Sequence, residues 1–213
     1  MTEETTETLY ALGAEDRIVG ISGFTVRPAR ARKEKPRVSA FTSAKIDRIL
    51  DLEPDLVLGF SDLQADIAAD LVRRGIDVHV FNHRSVVGIF RMIHTVGALI
   101  GEQVKTEAYA AELADNVERV RLAAGQLPRR PRVYFEEWDD PQISGIRWVS
   151  ELIGIAGGDD VCPELALESL GKNRIIADSA EVPRRNPDMI IGSWCGKKFR
   201  PERVAARAGW QDI

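Results

Sequence analysis

Three features of the sequence predict an α/β fold of two Rossmann-like lobes with parallel sheets joined by one long helix. Residues 17–81 alternate short β-branched runs with amphipathic helical segments. Residues 85–126 carry apolar side chains at helical spacing with no strand between them. From residue 132 the alternation of strand and helix resumes. Such alternation implies a parallel sheet with helices on its faces. A helical stretch of this length, against a mean of about 11–12 residues, reads as a connector between two such units. The predicted organisation is an N-terminal lobe over 1–84, a connecting helix over 85–127 and a C-terminal lobe over 128–213.

The elements follow in order. Thr5 to Leu12 forms a short helix closed by Gly13, a residue suited to the position after a helix end. Arg17 to Ser22 (RIVGIS) is a β-branched strand, and the polar, proline-bearing segment 23–37 is a loop. Val38 to Phe41 is a strand. Thr42 or Ser43 then caps a helix with Ile46, Ile49 and Leu50 on one face. Asp55 to Phe60 (DLVLGF) is a buried strand, Asp62 to Arg74 an amphipathic helix ended by Gly75, and Ile76 to Phe81 the next strand. Val86, Ile89, Ile93, Val96, Leu99 and Ile100 begin the connecting helix. Gly101 is a candidate break, and Leu113, Val117, Val120 and Leu122 carry the later apolar face. Pro128 and Pro131 end it. In the second lobe, Arg132 to Phe135 is a strand, Gly145 to Gly157 a helix, Val161 to Lys172 a loop, Ser179 to Asn186 a short helix, Met189 to Ser193 a strand and Pro201 to Arg207 a helix start. This lobe is expected to be incomplete, because nothing after Trp210 finishes an element.

Composition narrows the function classes. The chain has 213 residues, 44% hydrophobic and 29% charged, with a net charge of −4, which disfavours a nucleic-acid surface. Basic clusters at Arg27 to Lys35 and Arg129 to Arg132 sit beside prolines and read as solvated loops. No apolar stretch approaches the ~18–20 residues of a membrane span, and no basic, then apolar, leader pattern opens the sequence. Two cysteines, Cys162 and Cys195, do not make a disulfide scaffold. No metal site is expected, since zinc spacing, HExxH and CxxC are absent; nucleotide-loop glycine motifs are absent too. A monomer without a cofactor is expected.

Ligands in open parallel α/β sheets bind beyond the carboxyl ends of the strands. Those ends carry Phe24, Phe41, Phe60 with Ser61, the run Glu136-Glu137-Trp138, and Trp194 with Cys195. Aromatics are only 7% of the chain, so their clustering at strand ends suggests a site for a large, flat, partly apolar ligand. Trp148, on the helix after the acidic run, joins the candidates. The alternative for each aromatic is a plug at the end of a lobe core. The run Glu136 to Asp140 reads either as a solvated acidic loop, as acceptors for ligand amides or a cation, or as catalytic carboxylates without a matching nucleophile. His79 reads as structural, His83 as a rim residue, and Cys195 as a small apolar side chain or a reactive thiol.

The strings TETLYALGAEDRIVGIS and PRVSAFTSAKIDRILDLEPDLVLGFSD resemble the N-terminal lobe of class III substrate-binding proteins of ABC importers, and the likeness covers nearly the whole chain. Within that family the sequence is most similar to cobalamin-binding proteins. The resemblance implies a protein that is not an enzyme, with cobalamin or a related corrinoid held between lobes by the strand-end aromatics. It implies an ABC permease partner, docked through one acidic residue on each lobe, here Asp47 and Glu181. It further implies a periplasmic or extracytoplasmic location and a strand ahead of residue 1. An iron–siderophore or haem carrier is the alternative ligand class. An enzyme or metallocluster scaffold with nitrogenase-like lobes, using Cys195, is the alternative of another kind.

Overall fold

The computed structural model describes residues 1–211 and 213. The chain divides into two compact units. One comprises Met1–His83 with Val87–Glu112, and the other Arg84–Val86 with Leu113–Ile213.

The first unit opens with helix α1 (Glu3–Ala11). Gly13 at φ 68° ends it, and the Ala14 amide donates back to the Leu9 carbonyl. That backward bond closes the helix in the left-handed turn glycine favours. The strand predicted over 17–22 is shorter than expected. A single 3-10 turn at Glu15–Arg17 consumes its first residue, and only Ile21–Ser22 pairs, as β1. A short helix α2 (Ala31–Glu34) leads to β2 (Arg37–Ala40), which runs parallel to β1. Thr42 and Ser43 do not cap a helix. Ser43–Ala44 instead folds back as β3, antiparallel to β2, and Lys45 stands before helix α3 (Ile46–Leu50). Strand β4 (Val57–Phe60), helix α4 (Ala65–Arg73) and strand β5 (Val78–Phe81) form a parallel β-α-β pair in register from Val57–Val78 to Phe60–Phe81. Val38, Ile49, Val57 and Leu71 pack as one core beneath both sheets. The sheet orders leave β1 and β4 each with an outer edge. Residues 17–20 and 56–58 line one shared cavity of about 100 Å³.

The helical connector consists of two helices, α5 (Val86–Leu99) and α6 (Gln103–Ala124). The break falls at Gly101, φ 72°, where the Glu102 amide donates to the Gly97 carbonyl. The helices then pack so closely that a Cβ on Gly97 would lie 1.9 Å from Thr106 Oγ1. Val120 and Leu122, expected on an apolar face, are exposed.

The second unit is organised around β6 (Arg132–Asp139), four residues longer than the predicted strand. It pairs in parallel with β8 (Asp159–Asp160) and β9 (Met189–Gly192), and antiparallel with β7 (Gln142–Ser144). The sequence does not reveal the β6–β7 hairpin, because the acidic run masks the strand alternation and Pro141 reads as a loop. Helices α7 (Arg147–Ile155), α8 (Glu181–Arg184) and α9 (Pro201–Ala205) complete the unit. Tyr134, Val161, Cys162, Ile176, Val182, Trp194, Val204 and Trp210 form its core.

Candidate functional site

In the first unit the strand ends bring rings together. Phe41, just past β2, lies 6.5 Å from Phe60 at the end of β4, centroid to centroid. Phe60 lies 4.9 Å from the His83 ring, which is 6.3 Å from Phe81, and Phe81 is 4.4 Å from His79. His79 therefore belongs to this aromatic row through its neighbour but one on the same strand face. Phe24 stands apart and is about half exposed.

A buried amide, which the sequence alone did not single out, fixes this geometry. Gln64 is fully buried. Its Nε2 donates to the Phe41 carbonyl at 2.9 Å, and its Oε1 accepts from the Phe60 amide at 3.0 Å. One side chain thus ties the β2 end to the β4 end. Gly59 makes room for it, since a Cβ there would lie 2.9 Å from Gln64 Oε1. Ser61 takes φ 75°, donates to Asp62 Oδ1 at 2.8 Å and accepts from the Leu63 amide at 3.3 Å. It is buried at the turn after β4, so its hydroxyl shapes that turn.

In the second unit the acidic run is not a solvated loop. Within β6, Glu136 is completely buried. It accepts from Arg207 at 2.5 and 3.0 Å and from Trp194 Nε1 at 2.9 Å. Glu137 makes a two-pronged pair with buried Arg174 at 2.7 and 3.1 Å. Both carboxylates, expected to meet ligand amides, each already serve an arginine in the same unit. Trp194, expected to line the ligand site, is 5% exposed and packs edge-on against Phe199 at 4.9 Å. Its ring belongs to the core. Trp138 is half-buried, and its Nε1 donates to the Asp140 carbonyl at 2.8 Å. Trp148 lies on α7 and is half-buried.

Ionisation follows the surroundings. Burial raises Asp139, but its hydrogen bond to Lys197 and the charges of Lys197 and Arg203 win, leaving it below the usual carboxylate value. Burial pushes the Tyr134 hydroxyl far up, with the Glu136 charge adding to it. Burial likewise pushes the Cys162 thiol up to about 12. Cys162 and Cys195 are not joined in a disulfide. No group of three or more His, Cys, Asp or Glu side chains suited to a metal occurs among the described residues. Among them, too, no helix is long and apolar enough to cross a membrane.

The two acids expected at docking positions differ in their surroundings. Asp47 is 93% exposed, with Arg74 at 3.7 Å. Glu181 is engaged by Arg185, which also pairs with Glu164 at 2.6 Å.

A family model described as "Periplasmic binding protein" matches residues 1–213. The chain belongs to that family. Among curated relatives, a cobalamin-binding protein of Halobacterium salinarum is 26% identical over 183 residues, covering 83% of this chain and 50% of the relative. The chain thus spans about half the length of the relative it matches there. Among solved structures, the periplasmic vitamin B12-binding protein of Vibrio cholerae superposes with TM-score 0.75 at 20% identity, over 91% of this chain and 74% of that one. A periplasmic heme-binding protein of Roseiflexus superposes with TM-score 0.77 at 22% identity, over 90% and 73%. These structures share the two-lobed α/β fold of the family. The family and these neighbours are solute-binding proteins rather than enzymes.

Proposed function

We propose that the chain acts as the substrate-binding component of an ABC importer, outside the cytoplasm. Its ligand is a flat, metal-bearing macrocycle of the cobalamin or haem class. The observation that carries this reading is the row Phe41, Phe60, His83 and Phe81 at the carboxyl ends of parallel strands, with His79 beside Phe81, in a chain matching the family over its full length. Strand carboxyl ends are where open parallel sheets take ligands, and aromatic faces suit a broad ring with an apolar centre. Phe24, exposed at the end of β1, extends the apolar surface of the first unit. In the second unit, Trp138 and Trp148 are half-buried and remain candidate contacts, Trp138 with Lys197 over its ring. Ser61, Glu136, Glu137 and Trp194 act beneath this surface, holding turns and rings in place. The corrin ring enters the proposal because curated relatives are named cobalamin- or vitamin B12-binding proteins. Haem is kept in the proposal because solved neighbours are named heme-binding proteins, and His83 packs beside Phe60 in the ring row.

Permease docking is assigned to exposed Asp47 on the first unit and Glu181 on the second, each a carboxylate with an arginine neighbour. Titration with cyanocobalamin, hemin and a ferric siderophore, followed by calorimetry and tryptophan quenching, tests the ligand class. Saturable one-site binding of a macrocycle is expected. Binding of the siderophore alone, or of none of the three, refutes the reading.

A further inference from the structure

Trp138 does not present a bare ring. Lys197 Nζ stands 3.9 Å from the Trp138 ring centroid and 5.1 Å from that of Trp194. The same ammonium is paired with Asp139, whose side chain is only 4% exposed. Arg203 reaches the other Asp139 oxygen at 3.5 Å. One buried carboxylate therefore holds two cations, and one positive charge is left in surplus at the carboxyl end of β6. Nearby acids do not cancel it, since Arg207 engages Glu136 and Arg174 engages Glu137. Asp140 and Glu202 are exposed, as are Lys198 and Arg200 on the same segment.

This geometry constrains what can lie on that face. A neutral ring stacking on Trp138 there must first displace Lys197, which breaks a cation–π contact and leaves a buried carboxylate with only the longer Arg203 pair. A ligand carboxylate meets no such obstacle. It can approach Lys197 from the solvent side, where 36% of that side chain is exposed, and gain a charge-assisted hydrogen bond.

We propose that Lys197, held on Trp138 by Asp139, is a specificity-determining residue that selects macrocycles bearing carboxylate groups at their edge over those whose edge is amide or ester. The proposal rests on the binding reading above and narrows it within the macrocycle class, to porphyrin acids and acid corrinoids rather than cobalamin itself, whose corrin edge carries amides. The shared chemistry is the peripheral carboxylate, whether on a corrin or on a porphyrin.

Matched ligand pairs test it on the full chain. Cobyrinic acid and cobinamide share a corrin ring but carry acids or amides, and hemin and its dimethyl ester differ likewise. The acid of at least one pair should bind roughly tenfold tighter than its neutral partner. Lys197→Met should bring that ratio to within about threefold by weakening the acid alone, while Lys197→Arg and Lys198→Met should keep it. Thermal melts of each variant show whether the fold is retained. Neutral partners binding as tightly as the acids in the unmodified protein overturn the proposal without needing any variant. So does a preference that survives in folded Lys197→Met. If no macrocycle binds in either form, the binding reading itself fails and the proposal falls with it.

Discussion

Replacing Glu136 by Ala should unfold the second unit far more easily, because this buried carboxylate accepts from both Arg207 and Trp194. It receives both terminal nitrogens of Arg207 and the indole N–H of Trp194, with no exposure of its own. Removing one partner of a buried ion pair costs about 3–5 kcal/mol. Arg207 keeps 18% of its side chain exposed, so water takes up part of its lost bonding and the low end applies. The orphaned Trp194 N–H adds about 1–3 kcal/mol, giving a total of about 4–6 kcal/mol. Urea unfolding followed by near-ultraviolet circular dichroism reads this directly, provided the slope is unchanged. The double variant Glu136→Leu with Arg207→Leu should come back to within about 1–2 kcal/mol of the parent, since no charge is then left unpaired. A Glu136→Ala loss below about 1 kcal/mol would refute the assignment of Glu136 as the anchor of this core.

Three further outcomes follow from the geometry. Gly192→Ala places a Cβ 1.8 Å from the Phe199 ring; it should cost about 1–3 kcal/mol and alter the near-ultraviolet signal of Trp194, which Phe199 contacts. Gln64→Leu leaves the Phe41 carbonyl and Phe60 amide without their buried partner; a loss of about 2–4 kcal/mol and weaker macrocycle binding by calorimetry are expected, and unchanged binding would separate Gln64 from the site. A thiol reagent at pH 8 should label exposed Cys195 in the folded protein and reach Cys162 only on unfolding. Because the folded Cys162 thiol is raised from 9.0 to about 12, its contribution to stability is complete below pH 9.0 and declines as pH rises toward 12. Cys162→Ala should flatten that alkaline decline in melts across this range.

The sequence by itself determined the repeating strand–helix order, because β-branched runs bounded by Gly and Pro leave few other ways to bury their side chains. DLVLGF, IDVHVF and MIIGS became strands β4, β5 and β9, and Gly13 and Gly101 ended helices where a left-handed residue was needed. The phenylalanines at the ends of β2 and β4 could be placed as neighbours by the rule that parallel strands share a carboxyl edge. What only the tertiary structure decided was the partner of each polar group. Glu136 and Glu137 stand one residue apart, and in a run of carboxylates local sequence gives no sign of burial. Their arginines lie 71 and 37 residues away, and those distant cations make burial of the run possible. Trp194 follows the same logic, since an aromatic just after a strand either lines a surface or closes a core. Here Glu136 accepts its N–H and Phe199 covers its ring, two contacts that exist only once β6 and β9 have paired.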